Sequence, residues 1–425
     1  MPQIKDILSD LNPWWKRPFA AIYKDREVYG QIKKFQSLRQ IVALTGLRRV
    51  GKTTLLMKAA ADAIAAGTDP RRVVYFSFDE FRDVELRAVL HAAEELLESD
   101  LAGVPALFLL DEIQKLADWD EQIKALYDIS PALKMMISGS ESLFMTHRSR
   151  ATLAGRIFEF RVEPLSFQEY LSFTGQKTEP RALFAREMKR AYESYLKIQG
   201  FPELVGFENQ EIIRKYIKES IVDKVLYRDI PQLRRVKDIS VLESLLRILM
   251  DEPGRIVDLT ALGADLGITR QTLSLYLKYL EDSYLIRKLY NYSKNRRKTE
   301  RKLKKIYPVI PSPDLFFRDD DMARSRSFEC SVVNQLRAEY FWRDPSKNEV
   351  DVIRDGAPPL PVEIKSGRIE TRGVAAFLKK FKAKDGLIIS RDKEFVHEED
   401  GRRIRVVPAH VYFATQPPDA GSKGE

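Results

Sequence analysis

The segment from Gly46 to Thr53, GLRRVGKT, constrains this chain more than any other feature of its sequence. It follows an apolar run, QIVALT, and precedes a helical pattern, TTLLMKAAADAIAAG. Two glycines before a lysine and a hydroxyl, placed between a strand and a helix, form a loop whose N–H groups can wrap a phosphate. Lys52 is expected to reach the terminal phosphates of a nucleotide, and Thr53 to place its hydroxyl on Mg²⁺.

A second strand end supplies the acids that such a loop requires. In PALFLLDEIQ, an apolar run is followed directly by Asp111 and Glu112. Asp111 fits the metal-holding role, and Glu112 is placed to polarise the attacking water, which favours ATP hydrolysis over passive binding. The alternative is that the two acids cap the following helix. The predicted cofactors are ATP and Mg²⁺, and the predicted binding residues are Gly46, Arg48, Arg49, Val50, Gly51, Lys52, Thr53, Thr54 and Asp111.

Hydroxyls and arginines follow the next strand along the chain. LKMMISGSES carries Ser138 and Ser140, which could hold the attacking water or sense the γ-phosphate, unless they form a plain turn. Downstream, THRSRATLAGR carries Arg148, Arg150 and Arg156. An arginine can stabilise the charge that develops during phosphoryl transfer, and it is often contributed across a subunit boundary. We expect Arg156 in this role, in a homo-oligomer formed through the ATPase core, and otherwise as a surface charge.

The order of apolar and amphipathic segments predicts an α/β protein. Between residues 40 and 162, five apolar runs alternate with helical stretches, which favours βαβ units and a parallel sheet covered on both faces. The predicted strands are 40–45, 72–78, 105–111, 133–139 and 156–162. After Pro164 the pattern becomes helical, with helices near 182–199 and 209–228. Further strands are predicted near 349–353, 360–365 and 386–390.

Residues 238–290 show a helix-turn-helix pattern. A turn at Gly267 precedes Thr269, which is a candidate N-cap for TRQTLSLYLKYL. The face that carries Leu273, Leu277 and Leu280 is expected to be buried. Arg270, Gln271, Ser274 and Lys278 lie on other faces and are the exposed candidates for contacts with DNA on the second helix.

The net charge of +9 is concentrated beside this pattern. Ten basic residues and a single acid lie between Arg287 and Lys305, so the rest of the chain is near neutral. Such a patch indicates a polyanion-binding surface. Its DNA-contact candidates are Lys294, Arg296, Arg297 and Lys298. The alternatives are a solvated basic loop, or a helix-turn-helix that binds protein; the interleaved Tyr290 and Tyr292 are expected to pack.

The succession of motifs resembles a prokaryotic AAA+ P-loop ATPase family found in archaea and bacteria. The resemblance rests on NPWW, LTGLRRVGKTTLL, LLDEIQ, ISGSES, LAGR, EPLSFQEYL, GFPELV and VLYRDI, and it covers nearly the whole chain. It implies an AAA+ parallel sheet, a helical lid, a winged helix-turn-helix and a C-terminal α/β domain. That last domain is commonly similar to the PD-(D/E)XK nuclease fold. SYLIRKLYNYSKNRRKTERKLKKIYPV resembles the wing of the winged helix.

The C-terminal α/β part resembles that nuclease motif at four positions. They are Glu329 in a helical run FECSVVNQLRAEYF, Asp351 in NEVDVI, and Glu363 and Lys365 in LPVEIKSG. The carboxylates would hold Mg²⁺, and the lysine would orient water or stabilise the phosphate. A magnesium nuclease, a nuclease-like binding scaffold and coincidence all remain open, because fold does not settle activity.

We expect the chain to fold into several domains, because 425 residues exceed what one hydrophobic core supports. We expect an ATPase core over 1–163, a lid over 164–235, a winged helix over 236–308, a nuclease-like domain over 309–412 and a disordered tail over 413–425. No apolar run approaches the roughly 20 residues that span a bilayer, and MPQIKDILSDLNPWW lacks the basic-then-apolar layout of a signal peptide. A cytoplasmic protein without membrane contact is therefore expected. It is either a DNA-associated ATPase, an ATP-dependent signalling switch that assembles protein partners, or an ATP-regulated nuclease.

Overall fold

The computed structural model describes residues 4–79, 81, 84–101, 103–140, 147–176, 184–293, 304–318 and 320–415. They form two compact units, Met1–Pro164 and Leu165–Glu425. None of the helices in these described ranges combines the length and apolar composition needed to cross a bilayer.

The first unit contains a five-stranded parallel sheet. Its strands are β1 Ile41–Thr45, β2 Val73–Ser77, β3 Ala106–Asp111, β4 Leu133–Gly139 and β5 Ile157–Arg161. Their order across the sheet is β2-β3-β4-β1-β5, and every pair is parallel. The helices are α1 Ile4–Leu11, α2 Glu27–Gln36, α3 Lys52–Ala65, α4 Leu86–Leu97, α5 Trp119–Ile129 and α6 His147–Thr152. All five predicted strands and the parallel sheet are confirmed.

The N-terminal segment covers the open edge of this sheet at β2. Asn12 is fully buried, and its side-chain amide accepts a hydrogen bond from the Tyr75 N–H (2.7 Å) and donates to the Tyr75 carbonyl (2.9 Å). The indole N–H groups of Trp14 and Trp15 both donate to the Val73 carbonyl. Side chains of NPWW thus bond the edge strand where a further strand would otherwise pair.

The second unit begins with a helical segment. Its helices are α7 Phe167–Thr174, α8 Ala185–Ile198, α9 Gln210–Lys215 and α10 Ile230–Leu233, with π-helical turns at Tyr216–Val222 and Val225–Asp229. Ser166 and Glu169 form a reciprocal capping box at the start of α7. The predicted helices near 182–199 and 209–228 are therefore present, the second with widened turns.

A nine-stranded sheet organises the rest of the second unit. Its strands are β6 Arg255–Ile256, β7 Ile286–Asn291, β8 Lys304–Pro308, β9 Tyr340–Arg343, β10 Glu349–Arg354, β11 Leu360–Lys365, β12 Asp385–Ser390, β13 Phe395–Glu399 and β14 Arg402–Pro408. Their order is β13-β14-β12-β11-β10-β9-β7-β8-β6. The helices are α11 Ile239–Asp251, α12 Leu259–Asp265, α13 Arg270–Asp282, α14 Pro313–Phe317, α15 Asp321–Gln335, α16 Arg372–Phe381 and α17 Ala409–Thr415. One sheet thus holds strands from both the predicted winged-helix and nuclease-like segments.

Two expectations about the C-terminal part are wrong in detail. The helical run that begins at FECS ends at Gln335, and Tyr340–Arg343 is a strand, because its aromatic side chains pack in the sheet. The tail does not begin at residue 413, since helix α17 continues to Thr415. Phe413 lies parallel to Tyr192 with 6.4 Å between ring centroids, and this packing holds the end of the helix. Residues 416–425 lie outside the described part of the chain.

Candidate functional site

The phosphate loop joins the carboxyl end of β1 to the start of α3. Gly46 has φ +142°, and a Cβ there would lie 2.3 Å from the Val162 carbonyl oxygen, so no side chain fits. Gly51 has φ +97° and directly precedes α3, whose N-terminus opens onto the loop. The buried Lys52 ammonium donates to the carbonyls of Gly46 (2.8 Å) and Leu47 (2.9 Å). This folds the lysine across the space that the loop encloses.

Hydroxyl groups surround the first acid, Asp111, at the end of β3. Thr53 Oγ1 donates to Asp111 Oδ2 over 2.6 Å, and the Tyr75 hydroxyl donates to the same oxygen over 3.0 Å. The Ser138 hydroxyl donates to the other oxygen, Oδ1. Burial raises the pKa of Tyr75, and the Asp111 carboxylate raises it further, so the phenol remains a donor. The two predicted Mg²⁺ ligands, Thr53 and Asp111, therefore lie together.

The second acid, Glu112, is held in a strained backbone conformation. Its φ is +52°, in the left-handed region that a side chain disfavours. Its Oε2 accepts hydrogen bonds from Gln114 Nε2 (2.5 Å) and from the Ser140 hydroxyl (3.1 Å). Although Glu112 occupies the N-cap position of the short helix Ile113–Lys115, its side chain forms no capping bond. Glu112 is therefore not a side-chain cap of that helix.

In this structure the hydroxyls of Ser138 and Ser140 donate hydrogen bonds to Asp111 and Glu112, respectively. Both are buried, Ser138 against Asp111 and Ser140 against Glu112, and the prediction that they could hold the attacking water or sense the γ-phosphate stays a prediction. Gln114, which sequence reasoning missed, donates to both Glu112 and Ser140. The only sequence signal for a role of Gln114 was its position two residues after Glu112 in DEIQ.

Arg26 is a second residue that sequence reasoning missed. The residue is 8% exposed, and its guanidinium donates to the Val50 carbonyl inside the loop and to the Glu163 carbonyl after β5, both over 2.7 Å. Val50 is one of the predicted loop residues. The segment before α2 thus fixes the phosphate loop against the chain that follows β5.

Arg156 is not brought to this site. It directly precedes β5, so it lies at the amino edge of a parallel sheet whose carboxyl edge carries the loop. Five residues of strand separate the two edges by about 16 Å. Its guanidinium pairs with Asp128 (3.2 Å) and lies 5.9 Å from the Tyr127 ring centroid. Arg156 therefore does not reach the phosphate loop of its own chain, and no side-chain position is described for Arg148 and Arg150.

The helix-turn-helix segment has the expected local structure. The Thr269 hydroxyl accepts a hydrogen bond from the Thr272 N–H over 3.1 Å and so caps α13, as predicted. Leu273, Leu277 and Leu280 are buried, which confirms the predicted core face. On α13 the side chains of Arg270, Gln271 and Ser274 are exposed.

Strands β6, β8 and β7 pair antiparallel beside these helices, and the basic segment between β7 and β8 is described only up to residue 293. Lys294, Arg296, Arg297 and Lys298 lie outside the described residues. Part of the basic patch is not available to a polyanion, because Lys288 pairs with Glu281 and Lys305 is buried beside acids. Tyr292 packs against Tyr340, Phe377 and Phe381, as expected of a packing residue.

The four nuclease-like residues, Glu329, Asp351, Glu363 and Lys365, lie in one cluster that also contains Tyr307 and Lys305. Burial and Asp351 raise the pKa of Glu329 to about 7, and the Tyr307 hydroxyl donates to Glu329 over 2.6 Å. Burial and Asp351 also raise the pKa of Glu363 to about 8, and Lys365 pairs with Glu363 at 2.7 Å. A polar cavity of about 280 Å³ adjoins Glu363 and Lys365.

Comparison with known proteins identifies part of the chain. Residues 38–171 match a family model described as an AAA domain. This segment is therefore similar to an AAA domain. Residues 189–309 match a model described only as a domain of unknown function, DUF8612. The AAA match spans the phosphate loop, both acids and Arg156.

Relatives extend the similarity beyond the AAA domain. An uncharacterized protein of Haemophilus influenzae is 28% identical over 62% of this chain, and the match spans 65% of that protein's length. An uncharacterized protein of Methanocaldococcus jannaschii is 25% identical over 90% of this chain and 87% of its own length. Among solved structures, the replication initiator DnaA bound to AMPPCP and single-stranded DNA is 17% identical over 65% of this chain and 93% of its own, with a TM-score of 0.32.

Proposed function

We propose that this chain binds ATP with Mg²⁺ at the phosphate loop of its AAA domain, hydrolyses it, and associates with DNA through residues 236–308. The observation that carries the first part is the 2.6 Å hydrogen bond between Thr53 and Asp111, with Glu112 held beside them. Hydroxyl and carboxylate oxygens are the ligands that Mg²⁺ prefers, so the donor set fits the ion.

The loop's own residues account for binding of the phosphates. The Lys52 ammonium bonds two loop carbonyls, and a phosphate oxygen at the same place would accept those hydrogen bonds as a charged partner. The loop N–H groups and the N-terminus of α3 add further donors. The predicted residues Arg48, Arg49 and Thr54 flank this cradle. Arg49 takes a positive φ of 65°, and both Arg49 and Thr54 are exposed.

Glu112 is assigned to the attacking water. Bound Mg²⁺ would supply charge neutralisation at the phosphates, and Thr53 with Asp111 would hold it. Ser140 and Gln114 fix the Glu112 carboxylate at the end of β3, so it accepts a proton from water placed at that edge. The positive φ at Glu112 is consistent with a backbone kept strained for this purpose.

The DNA part of the proposal rests on the face of α13. Arg270, Gln271 and Ser274 are exposed in the first turns of the second helix of the pair, where a recognition helix meets base edges. The three antiparallel strands β6, β8 and β7 lie next to the helices, as in a winged helix. Lys294, Arg296, Arg297 and Lys298 fall in the sequence between β7 and β8, where a winged helix has its wing.

ATP turnover measured with and without single-stranded, duplex and branched DNA tests the whole proposal. A DNA-associated ATPase is expected to hydrolyse ATP faster with at least one of these DNAs. Arg270→Ala should reduce that stimulation, and Arg87→Ala, which changes an exposed arginine on α4 outside residues 236–308, is the control. Turnover that DNA leaves unchanged, together with undetectable DNA binding, would contradict the DNA part and favour a switch that assembles proteins.

A further inference from the structure

The ammonium group of Lys305 lies inside the nuclease-like cluster. Lys305 is on β8, and its side chain is only 5% exposed. Its Nζ lies 2.6 Å from Glu349 Oε1 and 3.2 Å from Asp351 Oδ1, and 5.6 Å from the centroid of the Phe341 ring. Two carboxylates and an aromatic face thus surround one buried positive charge. Strands β7 and β9 separate β8 from β10 in the sheet, so the side chain reaches across them.

The other carboxylates of the cluster also have partners, and one oxygen, Glu363 Oε2, is buried without a hydrogen bond. The second oxygen of Asp351 accepts a hydrogen bond from the Ile364 N–H (3.0 Å). Glu329 accepts from Tyr307, and Glu363 pairs with Lys365. Mg²⁺ needs several oxygens that converge on one point at about 2.0–2.1 Å. Within the described part of the chain, no group of three histidine, cysteine, aspartate or glutamate residues is arranged to hold a metal ion.

We propose that Lys305 is the resident cation of this cluster and takes the place of the divalent ion, so that the C-terminal acids hold β8 to β10 and bind no metal. A dication and an ammonium cannot share this space, because at such short separations in a buried site their repulsion is large. The residues that resemble a magnesium nuclease therefore do not fit its metal. This proposal is independent of the ATP site in the first unit.

The role of the cluster is then structural. Lys305 and Tyr307 are alternate residues of β8, and they bond acids on β10 and α15 respectively. β8 is also the strand that follows the basic loop. The carboxylates consequently fix the strand after the predicted wing to the C-terminal part of the sheet. Lys304, the neighbour on the same strand, points elsewhere, with its ammonium 5.0 Å from the Tyr290 ring centroid.

Binding of Mn²⁺ in the absence of nucleotide, followed by electron paramagnetic resonance, tests the proposal. The wild-type chain and Asp351→Asn should bind Mn²⁺ equally, because any ion at the phosphate loop is common to both. Lys305→Ala should gain one Mn²⁺ per chain, and the double variant Lys305→Ala with Asp351→Asn should lose it again. Lys304→Ala, the matched control, should behave as the wild type.

The wild-type comparison also decides the question if Lys305→Ala does not fold, since removing one partner of a buried ion pair is strongly destabilising. Wild-type binding of one Mn²⁺ per chain that Asp351→Asn abolishes would overturn the proposal. So would a Mg²⁺-dependent rise in the Tm of the wild type that is missing in Asp351→Asn. Equal binding and equal Tm responses in the two proteins support it.

Discussion

Arg26 offers a sharp test of how the phosphate loop is positioned. The residue is 8% exposed, and its guanidinium donates two 2.7 Å hydrogen bonds, one to the Val50 carbonyl and one to the Glu163 carbonyl. A hydrogen bond to a charged group contributes about 1.5–3 kcal/mol, so Arg26→Ala removes about 3–6 kcal/mol of interaction in total. Only the bond to Val50 acts on the loop itself. We therefore expect about 1.5–3 kcal/mol to be lost from nucleotide binding, and the remainder from folding stability.

That loss corresponds to nucleotide affinity lower by about 10- to 150-fold, since about 1.4 kcal/mol is a factor of ten. Titration of a fluorescent ATP analogue into Arg26→Ala and wild-type protein measures it. Arg17→Ala is the matched control, because Arg17 is an exposed arginine of the same N-terminal segment. Arg26→Ala that remains folded and binds nucleotide as tightly as the wild type would refute the argument that Arg26 positions the loop.

Three further predictions concern other parts of the molecule. The pKa of Glu363 is raised from 4.5 to about 8, so between these pH values the folded protein keeps a proton that the unfolded chain releases. The free energy of unfolding should therefore fall as pH rises through this range. Glu363→Gln removes the titrating group and should make Tm less dependent on pH between 5 and 8. Asn12→Ala leaves the N–H and carbonyl of Tyr75 without these partners and should lower the free energy of unfolding by about 2–4 kcal/mol in urea titrations. Arg156→Ala should bind ATP yet hydrolyse it roughly 10³-fold more slowly, and mixing this protein with Lys52→Ala protein should restore part of the rate. Normal hydrolysis by Arg156→Ala alone would show that the arginine is only structural.

The parallel sheet and the phosphate loop were predictable from sequence because local signals specify them. Each strand is a short apolar run, and GLRRVGKT directly follows one of them, so strand, loop and helix are encoded within about 25 consecutive residues. Asp111 and Glu112 were predictable for the same reason, as the acids that end an apolar run. Parallel strands bring their carboxyl ends to one edge, and this places the acids beside the loop.

Contacts between distant segments were not predictable in this way. Arg26 meets Val50 and Glu163, which lie 24 and 137 residues away, and nothing in its own neighbourhood announces either partner. Lys305 was read as part of a basic surface, because charge runs are usually solvated. In a strand, however, neighbouring side chains point to opposite faces, so one of Lys304 and Lys305 had to point inward. Had β8 been recognised as a strand, its alternation would have indicated that only one of the two lysines is exposed.

Steady-state ATP turnover and nucleotide binding by Glu112→Gln test the central claim most directly. The substitution keeps the shape of the side chain and leaves Lys52, Thr53 and Asp111 in place, so ATP should bind as tightly as to the wild type. Loss of the carboxylate that accepts the proton of water should lower turnover by about 10²–10⁴-fold. Lys52→Ala should instead weaken binding itself. Wild-type turnover by Glu112→Gln, or undetectable ATP binding by the wild-type chain, would contradict the account.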